Sequence, residues 1–200
     1  MISRKLWPKR GAARAMIMIE RVTLRFLSRE AFAASGLSFT YAFHDTPFGE
    51  VIALICDGAL AGLGFSPDRK AALADLQRRW PKARFVEEAG AGTDFVARIF
   101  DARNDEPVPL LLIGGELDRA VWEALMSIPA GSFTSYGALA EKLGRPKAAR
   151  AIGGAVGRNP VCVAVPCHRV RGKDGAPTGY HWGLETKQAL LDWENKQNIL

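Results

Sequence analysis

The chain has 200 residues, 48% of them hydrophobic, enough to bury one large or two small cores. No run approaches the roughly 20 apolar residues of a membrane-spanning helix, so no membrane partner is expected. Cys56, Cys162 and Cys167 are odd in number and fit no zinc spacing, which predicts a reduced, cytoplasmic chain without disulfides, structural metal or cofactor.

The formal net charge of +6 is unevenly spread. Residues 1–35 carry eight Lys/Arg against Glu20 and Glu30, residues 36–128 carry nine basic against fourteen acidic side chains, and residues 129–200 carry ten against five. Residues 142–173 contain eight basic side chains and no acid. A surface of one sign gains affinity for a duplex by releasing counterions. A solvated face is the plainer reading on charge alone; the chemistry inside this basic stretch favours nucleic acid.

In chain order, residues 1–36 read as a basic, mobile tail without the apolar core of a secretory signal. An Arg-rich start also resembles an organelle transit peptide, and a true start at Met16 or Met18 is an equal alternative. Residues 37–113 read as an α+β domain with a small antiparallel sheet from the apolar runs 38–43, 50–56 and 60–65. Asp57-Gly58 between the last two predicts a hairpin whose turn residues both need positive φ. Asp68 is placed to cap a helix through Arg79, with Leu73, Leu76 and Trp80 on one face and Pro81 as its stop. A short helix is expected at 94–102. Residues 103–115, with two prolines and two glycines around 110–113, read as the passage to a second unit. His44 and Cys56 stand as packing or surface residues, and no reactive site is expected in this half.

Residues 114–200 read as a second, mostly helical domain. A helix at 116–127 has the apolar stripe Leu117, Val121, Trp122 and Leu125. Thr134 or Ser135 caps the next, to Leu143; Gly144 breaks it, and Pro146 opens a helix over 147–157. Helix, short turn, helix is the helix-turn-helix outline, weak alone because many such pairs are packed hairpins. Here the second helix is mostly Ala and Gly, which lets its backbone approach a partner closely, and Lys147, Arg150 and Arg158 surround it.

Residues 161–165 predict one buried strand, ended by Pro166, with Cys167 and His168 next. Cysteine beside histidine is a candidate nucleophile, although a buried inert cysteine is the commoner outcome. Neighbours on an extended chain point to opposite sides, so a direct dyad is hard to build. A bridging water would close the gap, and a carboxylate beyond the imidazole would orient it. Cys162 reads as core packing.

Several motifs coincide in order and spacing: Ser135-Tyr136-Gly137-x-Leu139-Ala140, Pro146-Lys147-Ala148-Ala149-Arg150-Ala151, Arg158-Asn159-Pro160 and Pro166-Cys167-His168-Arg169-Val170. Gly179-Tyr180-x-x-Gly183, Lys187 and Leu190-Leu191-x-x-Glu194 follow. Over about residues 38–195 they resemble the O6-alkylguanine-DNA alkyltransferases. Trp182, in place of a smaller residue, makes the chain look most like the C-terminal half of the bacterial adaptive-response protein, without that protein's zinc-binding cysteine cluster.

The resemblance implies a ribonuclease H-like N-terminal domain, a winged helix-turn-helix C-terminal domain, and single-turnover transfer of alkyl from O6-alkylguanine, with O4-alkylthymine a further candidate. It implies that Cys167 accepts the alkyl group, His168 takes its proton through water, Glu194 holds the imidazole, Asn159 orders the turn, and Tyr136 donates toward the base. Val170, Tyr180, His181 and Trp182 would form the base pocket, with backbone groups near Val170 and His181 reading its edge. Arg150 would replace the extruded nucleotide, while Ser135, Lys147, Ala148, Ala149 and Gly153 would meet double-stranded DNA in the minor groove, as a monomer. Without the resemblance, Tyr136 reads as a core aromatic and Glu194 as a surface carboxylate.

Two departures stand out. Glu116-Leu117-Asp118 replaces a common Phe-Gln pair, which touches packing more than chemistry, and Trp182 is expected to restrict bulky adducts. The rival readings are a lesion sensor, which lacks the acceptor cysteine, and a helix-turn-helix regulator, which needs a dimer signature that is absent.

Overall fold

Asp57 and Gly58 both take positive φ (49° and 69°), closing the predicted hairpin between β3 (Gly49–Cys56) and β4 (Ala59–Phe65). They belong to a computed structural model that describes residues 22–198 apart from 102, 103, 105, 174 and 177. The sheet around this hairpin has six strands in the order β1-β6-β4-β3-β2-β5, with β1 at Val22–Ser28, β2 at Phe39–Thr46, β5 at Phe85–Glu87 and β6 at Val108–Gly114.

Two expectations are corrected here. The sheet is mixed rather than antiparallel: β2–β3–β4 is an antiparallel meander, but β5 joins β2, and β1 and β4 join β6, in parallel. The stretch read as a passage supplies β6, whose Leu110, Leu111, Leu112 and Ile113 are buried. A strand between parallel neighbours, covered on both faces, needs a continuous apolar run and shows no alternation.

The mobile tail is corrected as well for residues 22–36. β1 pairs with all of β6, from Val22↔Val108 to Ser28↔Gly114. Ser28 then caps α1 (Arg29–Ser35) by accepting from the Ala31 N–H at 3.0 Å. Phe32 anchors this helix by stacking on Phe39, with ring centroids 5.1 Å apart. The start-codon and transit-peptide alternatives fall on residues 1–21, outside the described residues.

Each face of the sheet carries a core. On one, α2 (Arg69–Arg79) packs Leu76 and Trp80 beside Phe39; its Asp68 cap accepts from the Ala71 N–H at 3.0 Å, as predicted. On the other, α3 (Thr93–Phe100) and α4 (Glu116–Met126) pack Val96, Ile99, Val121, Trp122 and Leu125. Full burial of side chains of this size contributes about 1.5–3 kcal/mol each.

Ser135 caps α5 (Tyr136–Lys142), following the two-residue β7 (Thr134–Ser135), and accepts from the Ala138 N–H at 3.1 Å. The next helix is tighter at its start than predicted, a 3-10 turn at Pro146–Ala148 leading into α6 (Ala149–Gly157). The Trp122 indole N–H donates to the Ala155 carbonyl at 2.9 Å, holding α6 against α4. A short β8 (Val170–Arg171) pairs in parallel with β7, and α7 (Leu184–Asn198) closes the described chain.

Residues 161–165 form a buried turn, not the predicted strand. Val161 makes an isolated bridge to Leu63, and Val163 takes a φ of 69°, a costly conformation for a β-branched residue. Pro160 and Pro166 lack N–H donors at both ends. Beyond the single bridge to Leu63 the ladder gives way to turn bonds from Ala164 to Cys162 and Val165 to Val161, with the Asn159 side chain bonding Val161 and Val165.

Candidate active site

The Asn159 amide organises the turn that holds Cys167. Its oxygen accepts from the Val161 N–H at 3.0 Å, and its nitrogen donates to the Val165 carbonyl at 2.7 Å and to Cys167 Sγ at 3.1 Å. Two backbone segments and the sulfur are thereby fixed by one side chain. Cys167, His168 and Arg169 form a single 3-10 turn, buried throughout, rather than the extended chain assumed from sequence. Burial pushes the Cys167 thiol up, while the Asn159 bond and the Lys187 and Arg79 charges pull it partly back. The resting sulfur is therefore a thiol, and a base is needed to make it a nucleophile.

His168 makes no hydrogen bond to that sulfur. Its Nε2 lies 2.7 Å from Glu194 Oε1, and Nδ1 is buried without a partner. Glu194 is held at about 2 against its burial by the bonds and charges of His168 and Arg169. An ionised carboxylate only accepts, so Nε2 carries the proton and Nδ1 presents its lone pair. This tautomer is assigned from the network. Glu194 is thus within hydrogen-bond reach of His168, and its surface reading is corrected, since it is buried.

Arg169 was quoted in a motif without a role, yet it is buried. Its Nε and Nη2 grip Glu194 at 2.7–3.1 Å and its Nη1 binds the Ile128 carbonyl. Lys187 was missed in the same way: it is fully buried, donates to the Val170 carbonyl at 2.6 Å and the Thr178 carbonyl at 2.8 Å, and is pushed down to about 8 by burial. Its place on the helix face of Leu184, Leu190 and Leu191, three and four residues away, is a sequence signal that could have found it. Asp118 is buried too, taking Arg158 at 2.7 and 2.9 Å and Arg29 at 3.0 Å, so it joins α1, α4 and the end of α6.

The other expected residues surround this turn. Val170 is buried beside it, and the Tyr180 hydroxyl is buried without a regular hydrogen bond, raised well above its usual value by burial and then by the neighbouring thiols. The half-buried Tyr136 hydroxyl points to the Thr178 and Gly179 carbonyls, both at 3.4 Å, and a Cβ at Gly153 would sit 3.6 Å from its ring. Ser135 is occupied as a cap. Lys147 and Arg150 are exposed, and Ala148 and Ala149 are half-buried. The His181 ring turns outward to Asp75 Oδ2 at 2.9 Å. Trp182 is wedged so closely on Gly64 that a Cβ there would lie 2.4 Å from the indole.

The half without an expected reactive site nevertheless touches this one. Leu63 accepts from the Cys162 N–H at 2.9 Å and donates to the Pro160 carbonyl at 2.8 Å. Arg79 donates to the Arg158 and Asn159 carbonyls. Cys162 is fully buried, as its core reading requires. Among the described residues there is no group of three or more His, Cys, Asp or Glu that could hold a metal, and no helix long and apolar enough to cross a membrane.

The family model described as 6-O-methylguanine DNA methyltransferase, DNA binding domain, matches residues 116–196. The inducible methylated-DNA–protein-cysteine methyltransferase of Bacillus subtilis is 37% identical over 145 residues, covering 68% of this chain and 81% of that protein. The chain belongs to the methylated-DNA–protein-cysteine methyltransferase family. The regulatory protein ada of Salmonella typhimurium is 33% identical over 163 residues, 80% of this chain and 46% of that one. The crystal structure of Mycobacterium tuberculosis OGT in complex with DNA superposes with a TM-score of 0.64 at 32% identity, covering 79% of this chain and 94% of its own. In this methyltransferase-family chain, the matched segment contains Asn159, Cys167, His168, Arg169, Lys187 and Glu194.

Proposed function

We propose that the chain repairs O6-alkylguanine, with O4-alkylthymine as a second candidate, by moving the alkyl group once and irreversibly to Cys167. The observation that carries this reading is the buried turn in which Asn159 holds the sulfur 3.1 Å away and the next residue, His168, is backed by Glu194 at 2.7 Å. His168 Nδ1 takes the thiol proton through one water, and Glu194 stabilises the imidazolium. The thiolate attacks the alkyl carbon in line; the S–C bond forms as the C–O bond breaks. Electrons return to the guanine ring, and Tyr136 donates toward it as negative charge develops.

The stacked base blocks an in-line approach to O6, so the nucleotide must leave the helix. The exposed Ala151, Gly154 and Gly157 give α6 a low surface for the minor groove, with Arg150 placed to fill the emptied stack and Lys147 to meet phosphate. We assign α5 and α6 to a winged helix-turn-helix acting as a monomer. The β2–β3–β4 meander with β5 parallel to β2 supports a ribonuclease H-like N-terminal domain, ending near residue 113. A DNA substrate fits a bacterial-type cytoplasmic protein that associates with the nucleoid when bound to DNA.

The test is incubation with duplex DNA containing O6-methylguanine, then digestion and mass spectrometry. One added methyl on the peptide carrying Cys167 is expected. An unmodified peptide with tight lesion binding replaces repair with damage sensing.

A further inference from the structure

Asp75 and Arg79, one turn apart on α2, reach both segments that frame Cys167. Arg79 Nη1 donates to the Arg158 carbonyl at 3.0 Å and the Asn159 carbonyl at 3.4 Å. Its Nε and Nη2 hold Asp75 Oδ2 at 3.2 and 3.1 Å, and the same oxygen accepts from His181 Nε2 at 2.9 Å. Arg78 occupies the other oxygen at 3.0 Å. A continuous polar chain thus runs from Asn159, whose amide holds the sulfur, through α2 to the residue that follows Tyr180.

The far end is braced a second time. His181 stands edge-on to Trp182 at 4.5 Å between centroids, and the Trp182 indole is lodged against Gly64 of β4. The near end lies just past α6, where unpaired helix carbonyls gather negative charge and a cation from another element is favoured. The Arg79 side chain is only 18% exposed, so its guanidinium is held in one direction. Loose loops would need none of this; two loops that must keep a fixed gap do.

We propose that the Asp75–Arg79 pair is a positioning clamp that sets the distance between the Asn159 turn and the Tyr180–Trp182 segment, and with it the width of the guanine pocket over Cys167. The proposal rests on the reading of Cys167 as acceptor. Neither residue touches the base; both act through Asn159 and His181. The pair therefore controls the rate of alkyl transfer in the bound complex more than the strength of DNA binding.

The test is rapid-quench methyl transfer from a duplex with a single O6-methylguanine, for the wild type and for Arg79→Gln, Asp75→Asn, their combination and Asp75→Glu. Displacements of about 1 Å at a reacting centre cost up to roughly 100-fold, so the first two variants are expected to lose about 10- to 100-fold at saturating DNA. Duplex affinity should stay within about twofold, Asp75→Glu should recover most of the rate, and the double variant should be no slower than the slower single one. Where Arg79→Gln folds poorly, Arg79→Lys, which keeps one donor, is expected to fall between. Wild-type rates in Arg79→Gln and Asp75→Asn, whatever their melting temperatures, overturn the clamp. A wild type that leaves Cys167 unmethylated overturns instead the reading on which it rests.

Discussion

Glu194 accepts from His168 Nε2 at 2.7 Å while the guanidinium of Arg169 spans both of its oxygens. The carboxylate is thus depressed to about 2 from an ordinary 4.5. A depressed acid stabilises the fold at pH values above its unfolded pKa, and that contribution disappears as pH falls through the folded one. Denaturant titrations between pH 6 and 2 should therefore show a loss on the order of 3 kcal/mol from this group alone. Glu194→Gln should flatten that slope, and at neutral pH should be less stable by about 3–5 kcal/mol because Arg169 is left buried without its partner. An unchanged acid slope in the variant is the result that removes this account.

His168→Gln should slow methyl transfer to Cys167 by about 100- to 10,000-fold, the usual range for a positioned general base. Burial raises the thiol, so the variant depends on solvent to remove the proton and should regain rate as pH rises. Single-turnover rates between pH 6 and 10 measure this, and a flat profile would count against the base.

Asp118 is 3% exposed and anchors Arg29 and Arg158, whose own side chains are half exposed. Solvent screening on the arginine side limits the loss in Asp118→Ala to about 1–2 kcal/mol. The departure at this position was read as packing, but it also fixes the end of α6. Chemical denaturation gives the stability, and fluorescence anisotropy on duplex DNA should show weaker binding as Arg158 is released.

Trp182 predicts slow inactivation by free O6-benzylguanine relative to methylated DNA. Trp182→Ala should raise the benzyl rate by about tenfold or more, as removal of bulk from an apolar pocket does. Gly64→Ala places a Cβ 2.4 Å from the indole, so Trp182 must move. That variant should change the benzyl-to-methyl rate ratio and lose about 1–3 kcal/mol of stability. Equal benzyl and methyl rates in the wild type would end the steric explanation.

The elements written in local chemistry were legible in sequence. Asp57-Gly58 can form its turn with no help from elsewhere, Asp68 and Ser135 cap helices within three residues, and α4 displays its stripe. β6 hid because burial on both faces erases alternation. β1 did alternate, with Val22, Leu24 and Phe26 against the exposed Thr23 and Arg25, but its basic surroundings masked the signal. The turn at 161–165 resembles a strand because its residues are all apolar or small, while the bonds that bend it come from its own backbone and from the Asn159 side chain outside the run. Cys167, His168 and Glu194 were found by motif. Asp75 and Arg79 pair locally on α2, but their link to the site had no local sign, since the partners outside that helix lie 79 to 106 residues further along the chain.

The pairing of β1 with β6 also bears on how the chain can be shortened. β6 is an apolar strand buried at six of its seven residues, and β1 occupies the whole of one of its edges. A version trimmed to start at Leu37, where the sequence places the start of the α+β domain, would offer that edge to any passing strand, the geometry from which intermolecular aggregation grows. The first strand is in this sense a guard for solubility, and trimming should stop before Val22.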